Sequence, residues 1–462
     1  MKISYGFYKL IVALCLSLGI ILPPVQAQTN RTSISRAENV FQVMKKVADW
    51  QWKTLEQDGW KTSKKDWTSG SMYSGMVAMA SIANDETYYK KLIQVGEDNK
   101  WQVGKHREEA DDYCVGQLYA QLYNVYKDPR FIADFQGLAD SLVLLPHTES
   151  LEWKNKIDYR EWAWCDALFM GPPALAYLTE ATGDPKYLDK TSKLWWKTTN
   201  YLMDKEDYLF YRDSRFFTKK ESNGAKVFWS RGNGWVMGGL VKVLSVMDKS
   251  HPDSAKFADL LKKMARKIAD LQQPDGSWHA SLLDPEAYPS KETSGTGFFC
   301  FALAWGINSG ILSYNEFSPT VYKAWDAMIS SVHPDGKLGF VQPQGASPDK
   351  VTYDDTDVYG VGAFLLAGKE MIYLDVNRDG KSAVLEVANK ESKSRIQPVK
   401  ISWDEVIRKN KKLNPKILKL ADALTGEAIG FKLDRVGKSL KSISFDVPIE
   451  PGTVRILKLQ ND

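Results

Sequence analysis

Cysteine is scarce in this sequence, which has 4 cysteines among 462 residues. Three of them, Cys114, Cys165 and Cys300, follow the N-terminal segment. Their number is odd, and they form neither a CxxC pair nor a cysteine–histidine spacing typical of a metal site. Each lies in an apolar stretch, where free cysteine packs as a small apolar side chain. We therefore expect buried structural thiols, and the sequence predicts no metal ion and no cofactor.

An excess of charge of one sign is also lacking. The chain carries 61 lysine and arginine residues against 57 aspartate and glutamate residues, a formal net charge of +4. Removal of the N-terminal segment, with its two lysines, lowers this charge to about +2. Such a balance gives no reason to expect nucleic acid or an anionic membrane as a partner. A local basic pocket for an acidic sugar is compatible with it.

The N-terminal apolar run, residues 10–22, is short for a membrane span. Two lysines precede the run, and Ala27 ends a segment suited to cleavage. Leucine precedes Cys15, which makes a poor lipoprotein cleavage site. We predict a signal peptide at residues 1–27 and an exported, most simply periplasmic, protein.

Helix and turn signals recur along residues 35–371, where apolar residues follow the helical spacing almost throughout. Asp-Pro pairs at 128–129 and 184–185 are typical of helix starts, and Pro-Asp-Gly turns occupy 274–276 and 334–336. Both signals recur after about 60 residues, the length of one helical hairpin with its loops, so the region holds about six hairpins. The helical spacing is clear over residues 115–125, 187–203, 235–247, 255–271, 298–307 and 321–332.

Six helical hairpins closed into a ring make an (α/α)6 barrel, which we predict for residues 28–372. An open helical solenoid is the alternative. Loops rich in tryptophan and glycine favour the closed ring, with a central cleft.

The character of the chain changes after this region, and we predict a small β-sandwich-like domain over residues 373–462. It has no convincing catalytic cluster, so we expect it to pack against the barrel and support it. The predicted strands, which alternate or carry β-branched residues, are 383–387, 397–402, 442–447 and 453–459.

Residues 375–386 match the spacing of an EF-hand calcium loop. The residues after Gly380 have a strand pattern, whereas an EF hand requires a following helix. We therefore predict no functional metal site there.

Two acidic segments, residues 110–119 and 164–173, set acids among aromatic and apolar residues at the start of a helical pattern. Desolvation raises the pKa of a carboxyl group. A carboxyl that is partly protonated near neutral pH is what general acid catalysis on a sugar requires. Asp166 is the candidate in the second segment, with a structural helix cap as the alternative.

The first acidic segment contains an adjacent pair, Asp111 and Asp112. On a helix their side chains point about 100° apart, so only one faces the centre squarely. We favour Asp112 as the functional acid and place Asp111 among the substrate-binding candidates. An acid pair stabilised by a helix N-terminus is the alternative.

Residues 228–235 combine glycine, arginine and tryptophan. Glycine lets the backbone approach a ligand closely. Arg231 offers a planar fork for a carboxylate, and Trp229 and Trp235 can stack on a sugar ring. A tight turn with an arginine salt bridge is the alternative.

Three further residues are candidates for substrate binding. His279 could donate to a sugar hydroxyl or carboxylate, or be a structural histidine. Glu292 and Thr296 lie in a polar, glycine-rich entry to an apolar helix.

Aromatic residues make up 12% of the chain, with 16 tryptophans and 21 tyrosines. Aromatic faces stack on sugars, so the excess is compatible with carbohydrate binding. Because each ring buries a large area, we expect most of them to fill the helical core.

Residues 164–170, 229–235, 292–296 and 359–367, in this order, together resemble glycoside hydrolase family 105. That family comprises unsaturated rhamnogalacturonyl hydrolases and ulvan-processing relatives, and the resemblance spans roughly residues 35–370. It implies an (α/α)6 barrel that removes a 4,5-unsaturated uronic acid from the non-reducing end of lyase-generated oligosaccharides.

The resemblance also implies site roles. Asp166 resembles the proton donor to C4 of the enol ether, after which water adds at C5 and the hemiketal releases the sugar. Asp112 resembles the second family acid, and Arg231 and Trp229 resemble substrate-site residues.

Other functions remain open. They are an unsaturated glucuronyl hydrolase similar to family 88, a classical inverting (α/α)6 glycosidase, and a non-catalytic sugar-binding protein. The order of the motifs favours family 105. The expected partner is an unsaturated oligosaccharide, and we expect a monomer or weak homo-oligomer.

Overall fold

The computed structural model describes residues 36–378 and 380–461. The predicted signal peptide and Asp379 lie outside the described residues. The helices are α1 (Arg36–Gln57), α2 (Trp67–Ala83), α3 (Glu86–Asp98), α4 (Gly116–Tyr126), α5 (Ala133–Leu144), α6 (Ala167–Met170), α7 (Pro172–Thr182), α8 (Lys186–Leu202), α9 (Ser230–Val246), α10 (Ser254–Asp270), α11 (Thr293–Asn308), α12 (Tyr314–Ile329), α13 (Val358–Val376) and α14 (Trp403–Lys409).

The predicted helices agree with the structure except at three N-termini, one of which is that of α12, which begins at Tyr314 rather than near residue 321. Helices α9 and α11 begin five residues earlier than expected, at Ser230 and Thr293. Their glycine-rich first turns are helical because neighbouring helices pack there: Cβ atoms on Gly232 and Gly234 would lie 3.1 Å from Cys165 Sγ and 3.2 Å from Phe298 Cβ. No helix among the described residues is both long and apolar enough to cross a membrane.

Seven helices form the six members of what we call the inner ring, in which α6 and α7 count as one member: α2, α4, α6–α7, α9, α11 and α13. Each contacts the next, and α13 contacts α2 again. Helices α2, α9, α11 and α13 are buried on nearly all sides. Helices α1, α8, α10 and α12 bury one face each, as expected for an outer layer.

Close approach between inner-ring helices depends on glycine. A Cβ atom on Gly75 of α2 would lie 2.4 Å from the carbonyl oxygen of Gly362 on α13. A Cβ atom on Gly239 of α9 would lie 2.0 Å from the carbonyl oxygen of Leu168. These contacts are with backbone atoms, which cannot rotate away.

Aromatic rings from five segments of the inner ring fill its axis, and we call this group the central aromatic cluster. Ring centroids lie 4.5 Å apart for Trp235 and Phe298, 4.8 Å for Trp235 and Phe169, and 5.6 Å for Trp67 and Tyr359. The cluster supports the expectation that most of the aromatic excess is core.

The C-terminal residues form two antiparallel three-stranded sheets, ordered β1-β6-β3 and β2-β5-β4. One apolar core contains residues of both sheets, including Leu385 and Phe445. The four predicted strands are confirmed, and β3 and β4 are additional. The strands are β1 (Ala383–Ala388), β2 (Arg395–Ser402), β3 (Leu418–Asp422), β4 (Lys432–Val436), β5 (Ser439–Ile449) and β6 (Val454–Asn461).

The described residues, 36–378 and 380–461, belong to one compact unit. The domain boundary predicted at 372/373 falls inside α13, which runs to Val376. The sheets contact the helices through the turn after β5, where Tyr89 Oη donates to the carbonyl oxygen of Gly452 (3.0 Å). A strand, β1, follows Gly380, rather than the second helix that an EF hand requires.

We predict that Gly362→Ala destabilises the protein by about 1–3 kcal/mol, because the added methyl group would lie 2.5 Å from the carbonyl oxygen of Ser71. Urea unfolding measures the change. Gly137→Ala is the control, since Gly137 is an exposed residue of α5 where an added Cβ atom would have no other atom within 4 Å. Equal stability losses in the two variants would contradict the packing argument.

Candidate active site

The acidic segments meet at one end of the inner ring, where its helices begin. Asp66 caps α2 and Asp357 caps α13. Asp111 interacts electrostatically with both Asp66 and Asp166, and Asp357 interacts with Asp66 and Arg231. Helix N-termini carry partial positive charge. The helix N-termini therefore attract negative charge to this end of the ring, and aspartate side chains supply part of it.

Asp166 precedes α6, yet its side chain makes no capping hydrogen bond. The carboxyl is nearly buried, with 12% of the side chain exposed. The Cys165 thiol donates to Asp166 Oδ2 at 3.4 Å. Burial raises the pKa of Asp166, partly opposed by Arg212 and Arg231. The geometry therefore argues against the helix-cap alternative. The raised pKa means that the carboxyl keeps a proton to higher pH than an exposed aspartate does.

Arg212 is the charged partner of Asp166, and no sequence motif indicated it. Its Nε lies 3.7 Å from Asp166 Oδ2 and has no hydrogen-bond partner among the described residues. Its Nη1 donates to the buried Asp213 (2.7 Å), and its guanidinium lies over the ring of Trp153 at 4.6 Å. A second arginine, Arg215, lies over the same ring at 4.6 Å. The only sequence signal is an aspartate between two arginines.

Asp111 is the member of the acid pair that faces Asp166. It lies in a short 3-10 turn before α4, and its Oδ1 is buried without a hydrogen-bond partner among the described residues. Burial raises the pKa of Asp111 well above its ordinary value, and the neighbouring carboxylates of Glu109 and Asp166 raise it further.

Asp112, the member that the sequence favoured, points into the preceding loop. Its Oδ2 accepts from the backbone N–H of His106 (2.5 Å) and lies 2.9 Å from His106 Nδ1. A Cβ atom on Gly104 would lie 2.4 Å from the Asp112 carboxyl. Burial raises the pKa of neighbouring Glu109 to about 7. Asp112 thus anchors the loop before the site, beside His106 and Glu109.

The two acidic segments are held together by buried hydrogen bonds. Trp162 Nε1 donates to Tyr113 Oη (2.7 Å). Gln117 Nε2 donates to the carbonyl oxygen of Phe169 (2.8 Å). Because these bonds join residues flanking both acids, the distance between Asp111 and Asp166 is fixed by the core.

Arg231 is fully buried and bound to backbone carbonyls. Its Nη1 donates to the carbonyl oxygen of Gln342 (2.5 Å), and its Nη2 donates to that of Pro343 (3.0 Å). Its guanidinium lies 4.4 Å from the ring centroid of Trp229 and 4.8 Å from that of Tyr359. Its hydrogen bonds are thus directed at the loop before α13 and not at an open carboxylate site.

The other predicted residues lie around this framework. Glu292 is fully buried and caps α11 by accepting from the backbone N–H groups of Ser294 and Gly295. Thr296 Oγ1 accepts from the backbone N–H of Trp278 (3.0 Å). The remaining predicted residues are Trp229, whose Nε1 donates to Gln342 Oε1 (2.9 Å), Trp235 in the central aromatic cluster, and half-buried His279, whose Nδ1 lies 2.9 Å from the carbonyl oxygen of Pro285.

A cavity of about 590 Å³ lies beside α1 and the loop before α13; it adjoins Asp357, whereas neither Asp111 nor Asp166 lines it. Half-buried Trp50 and Trp60 give it aromatic walls, and Lys61 gives it a cation. Asp357 and Pro343 also line it, so it shares a wall with the loop that Arg231 binds. Aromatic faces beside a cation suit an acidic or substituted sugar.

A buried, protonatable acid beside a second carboxyl, at one end of a helical ring, is compatible with a glycoside hydrolase. A model of glycosyl hydrolase family 88 matches residues 43–374, and the chain belongs to that family. An unsaturated 3S-rhamnoglycuronyl hydrolase of Formosa agariphila is 40% identical over 322 residues, which cover 67% of this chain and 85% of that protein.

Solved structures agree with the helical fold. A chain described as a polysaccharide lyase is 30% identical, with a TM-score of 0.66, over 73% of this chain and 98% of that chain. A family 105 glycoside hydrolase from C. acetobutylicum is 21% identical, with a TM-score of 0.59, over 71% and 98%, which is a likeness of fold alone. The rhamnoglycuronyl hydrolase relative, taken with these folds, confirms the resemblance to family 105 unsaturated rhamnogalacturonyl hydrolases, and the family model that matches is that of family 88.

We predict that Asp111→Asn raises the melting temperature at pH 7.5 and raises it less at pH 5.0. In the unfolded chain Asp111 ionises near its ordinary pKa of 3.8, whereas in the folded protein its pKa is well above that value. The folded state therefore loses stability as pH rises through this interval. Asparagine does not ionise, so the variant escapes that loss.

Asp128→Asn is the control for this measurement. Asp128 is a helix-capping acid whose pKa is lowered, chiefly by its hydrogen bond with Arg130. Its replacement should lower the melting temperature at pH 7.5. A loss of stability in both variants would contradict the burial argument for Asp111.

Proposed function

We propose that this protein removes a 4,5-unsaturated uronic acid from the non-reducing end of lyase-generated oligosaccharides. The observation that carries the proposal is Asp166, a buried carboxyl with a raised pKa and no capping role, facing Arg212. The family membership and the 40% identical relative support the same reaction class. The closed contacts of the inner ring support an (α/α)6 barrel as the finer description of the fold.

Asp166 is the proton donor in this proposal. Its carboxyl protonates C4 of the enol ether, and positive charge develops at C5 and the ring oxygen. Water adds at C5, and the resulting hemiketal opens and releases the next sugar. An acid with a raised pKa is protonated over more of the neutral range, which this first step requires.

Asp111 is the second carboxyl in our proposal, in place of Asp112. Its unpartnered Oδ1 and its interaction with Asp166 support a role in positioning or activating the water. Asp112 already accepts from the loop at His106. We assign it to holding that loop in place.

Arg212 is the proposed partner of the uronate carboxylate. Its Nε is free to donate, and it lies within 3.7 Å of the proton donor. Trp153, beneath the guanidinium, offers an apolar face beside it. Arg231 would contribute by fixing the loop at Gln342 and Pro343, which forms a wall of the adjoining cavity.

The sugar next to the uronate would lie in the adjoining cavity. The relative from Formosa agariphila acts, by its name, on an unsaturated 3S-rhamnoglycuronyl group. We propose an ulvan-type substrate of that kind, with Lys61 as a cation for an acidic substituent. Rhamnogalacturonan fragments are the comparison substrate.

A polysaccharide lyase is the second candidate, because one solved relative is described as such. The two activities change the ultraviolet absorbance in opposite directions, so one assay distinguishes them. A lyase creates the ultraviolet absorbance of the unsaturated uronate from an intact polymer, whereas the proposed hydrolase removes it from an oligosaccharide. Intact ulvan and ulvan oligosaccharides, tested in parallel, separate the two.

We predict that the wild type removes this absorbance and that Asp166→Asn lowers kcat by about 100-fold or more, as loss of a general acid does. Asp111→Asn should lower kcat strongly, and Asp112→Asn should lower it less. Circular dichroism checks that each variant is folded. Retained activity in Asp166→Asn would refute the assignment, and a larger loss in Asp112→Asn than in Asp111→Asn would reverse our choice within the pair.

A separate prediction concerns Arg212→Met. Loss of the carboxylate partner should raise KM, and loss of the neighbouring positive charge should raise the pKa of Asp166 further. The protonated acid then persists to higher pH, so the basic limb of the kcat profile should move upward. The control is Arg266→Met, on the exposed face of α10. An unchanged KM and an unchanged profile would contradict both roles of Arg212.

A further inference from the structure

A second cavity lies at the other end of the inner ring, where its helices approach their C-termini. Its volume is about 350 Å³, and we call it the lower cavity. All six members of the inner ring line it. Phe169 separates it from the acids, because its ring packs against Trp235 on one side and lies 5.5 Å from Lys242 Nζ on the other.

Lys242 lies in the lower cavity and has no role in the proposed reaction. It is a residue of α9 with only 2% of its surface exposed. Its ammonium makes no hydrogen bond or ion pair with the residues that the structure describes, and it lies 5.3 Å from the ring of Tyr177. Three donors on a buried cation are thus left without an acceptor, which is costly unless a ligand or water supplies one.

The other charged groups of the lower cavity have partners. Lys369 Nζ donates to Ser81 Oγ (2.9 Å). Glu370 accepts from Asn308 Nδ2 (2.9 Å), and Glu180 accepts from Asn124 Nδ2 (3.0 Å). Lys242 is therefore the lysine of the lower cavity that lacks a hydrogen-bond partner among the described residues, whereas Lys369 is bound to a neutral hydroxyl.

The composition of the walls selects the kind of anion. Two acids and two lysines line the lower cavity, so its charges nearly balance and a divalent anion is disfavoured. Tyr177, Phe301 and Trp305 add aromatic surface, and aliphatic side chains add more. The volume exceeds that of a simple inorganic ion. These features suit one negative charge attached to a short apolar body.

We propose that the lower cavity binds a small monocarboxylate, whose carboxylate accepts hydrogen bonds from Lys242 Nζ and whose carbon chain packs against Tyr177 and Trp305. The proposal does not depend on the reaction at the other end of the ring. It also connects the C-terminal sheets to the lower cavity. Tyr89 and Val125 line the lower cavity, and both contact Gly452 in the turn after β5.

The pH dependence of such binding follows from the surroundings of Lys242. Burial lowers its pKa to about 7, and nearby Lys369 lowers it as well, whereas Cys114 opposes the shift. Burial raises the pKa of Glu180 and of Glu370. The titratable groups facing the lower cavity or Lys242 are Tyr89 of α3, Cys114 before α4, Tyr177 and Glu180 of α7, and Lys369 and Glu370 of α13.

Calorimetric titration of the full chain with propionate tests the proposal. We expect one equivalent to bind at pH 6.0, with Kd about tenfold higher at pH 8.0, because an amine of pKa 7 is about nine-tenths protonated at the first pH and about one-tenth at the second. Sulfate and chloride should bind more weakly than propionate. Absence of propionate binding at pH 6.0 would overturn the proposal without any variant.

Three variants locate the bound carboxylate. Lys242→Met should abolish propionate binding, and Lys193→Met, which removes an exposed lysine of α8, should leave it intact. Arg212→Met should also leave it intact. Loss of binding in Arg212→Met with retention in Lys242→Met would place the carboxylate among the catalytic acids and overturn the assignment.

Discussion

The packing of the central aromatic cluster is the constraint on which the rest of the helical region depends. Trp67, Phe169, Trp235, Phe298 and Tyr359 come from different segments of the inner ring and meet on its axis. Large rings in offset and edge-on contact bury much apolar area at the one place where all these helices converge. Glycine contacts such as that between Gly75 and Gly362 let the helices come close enough to enclose them. The axis is therefore closed in the middle, and each end holds a separate polar space.

The same packing explains why the acids are desolvated. Phe169 lies three residues after Asp166 on the buried helix α6, and its ring packs against Trp235, so the carboxyl is attached to an apolar part of the core. Buried bonds from Gln117 and Trp162 hold the second acidic segment against it. Two carboxyls placed this way destabilise the folded protein at neutral pH, and the surrounding core offsets that cost. Stability is given up where the proposed chemistry needs a protonated acid.

Periodic and local features could be predicted from the sequence. The helical spacing of apolar residues, the four longer strands and the apolar setting of Asp166 are properties of neighbouring residues. The contacts of Arg212 could not be predicted, because its position depends on the path of a loop 46 residues after Asp166.

The choice between Asp111 and Asp112 depends on a 3-10 turn, in which α-helical geometry does not hold. Arg231 matched a ligand-binding pattern, but its partners, the carbonyls of Gln342 and Pro343, are more than 100 residues away. Strands β3 and β4 are only five residues each, too short for alternation to stand out.

The bonds between Arg231 and the loop before α13 have a consequence for selectivity. A guanidinium that is already bound to two carbonyls and stacked between two rings holds that loop in one conformation before any sugar arrives. Little free energy is then lost in ordering the loop when a sugar binds, so the affinity for a sugar that fits the wall is retained. The same rigidity means that a sugar of the wrong shape is met by a surface that does not adapt. In the proposed function, discrimination at this wall is therefore by exclusion rather than by induced fit.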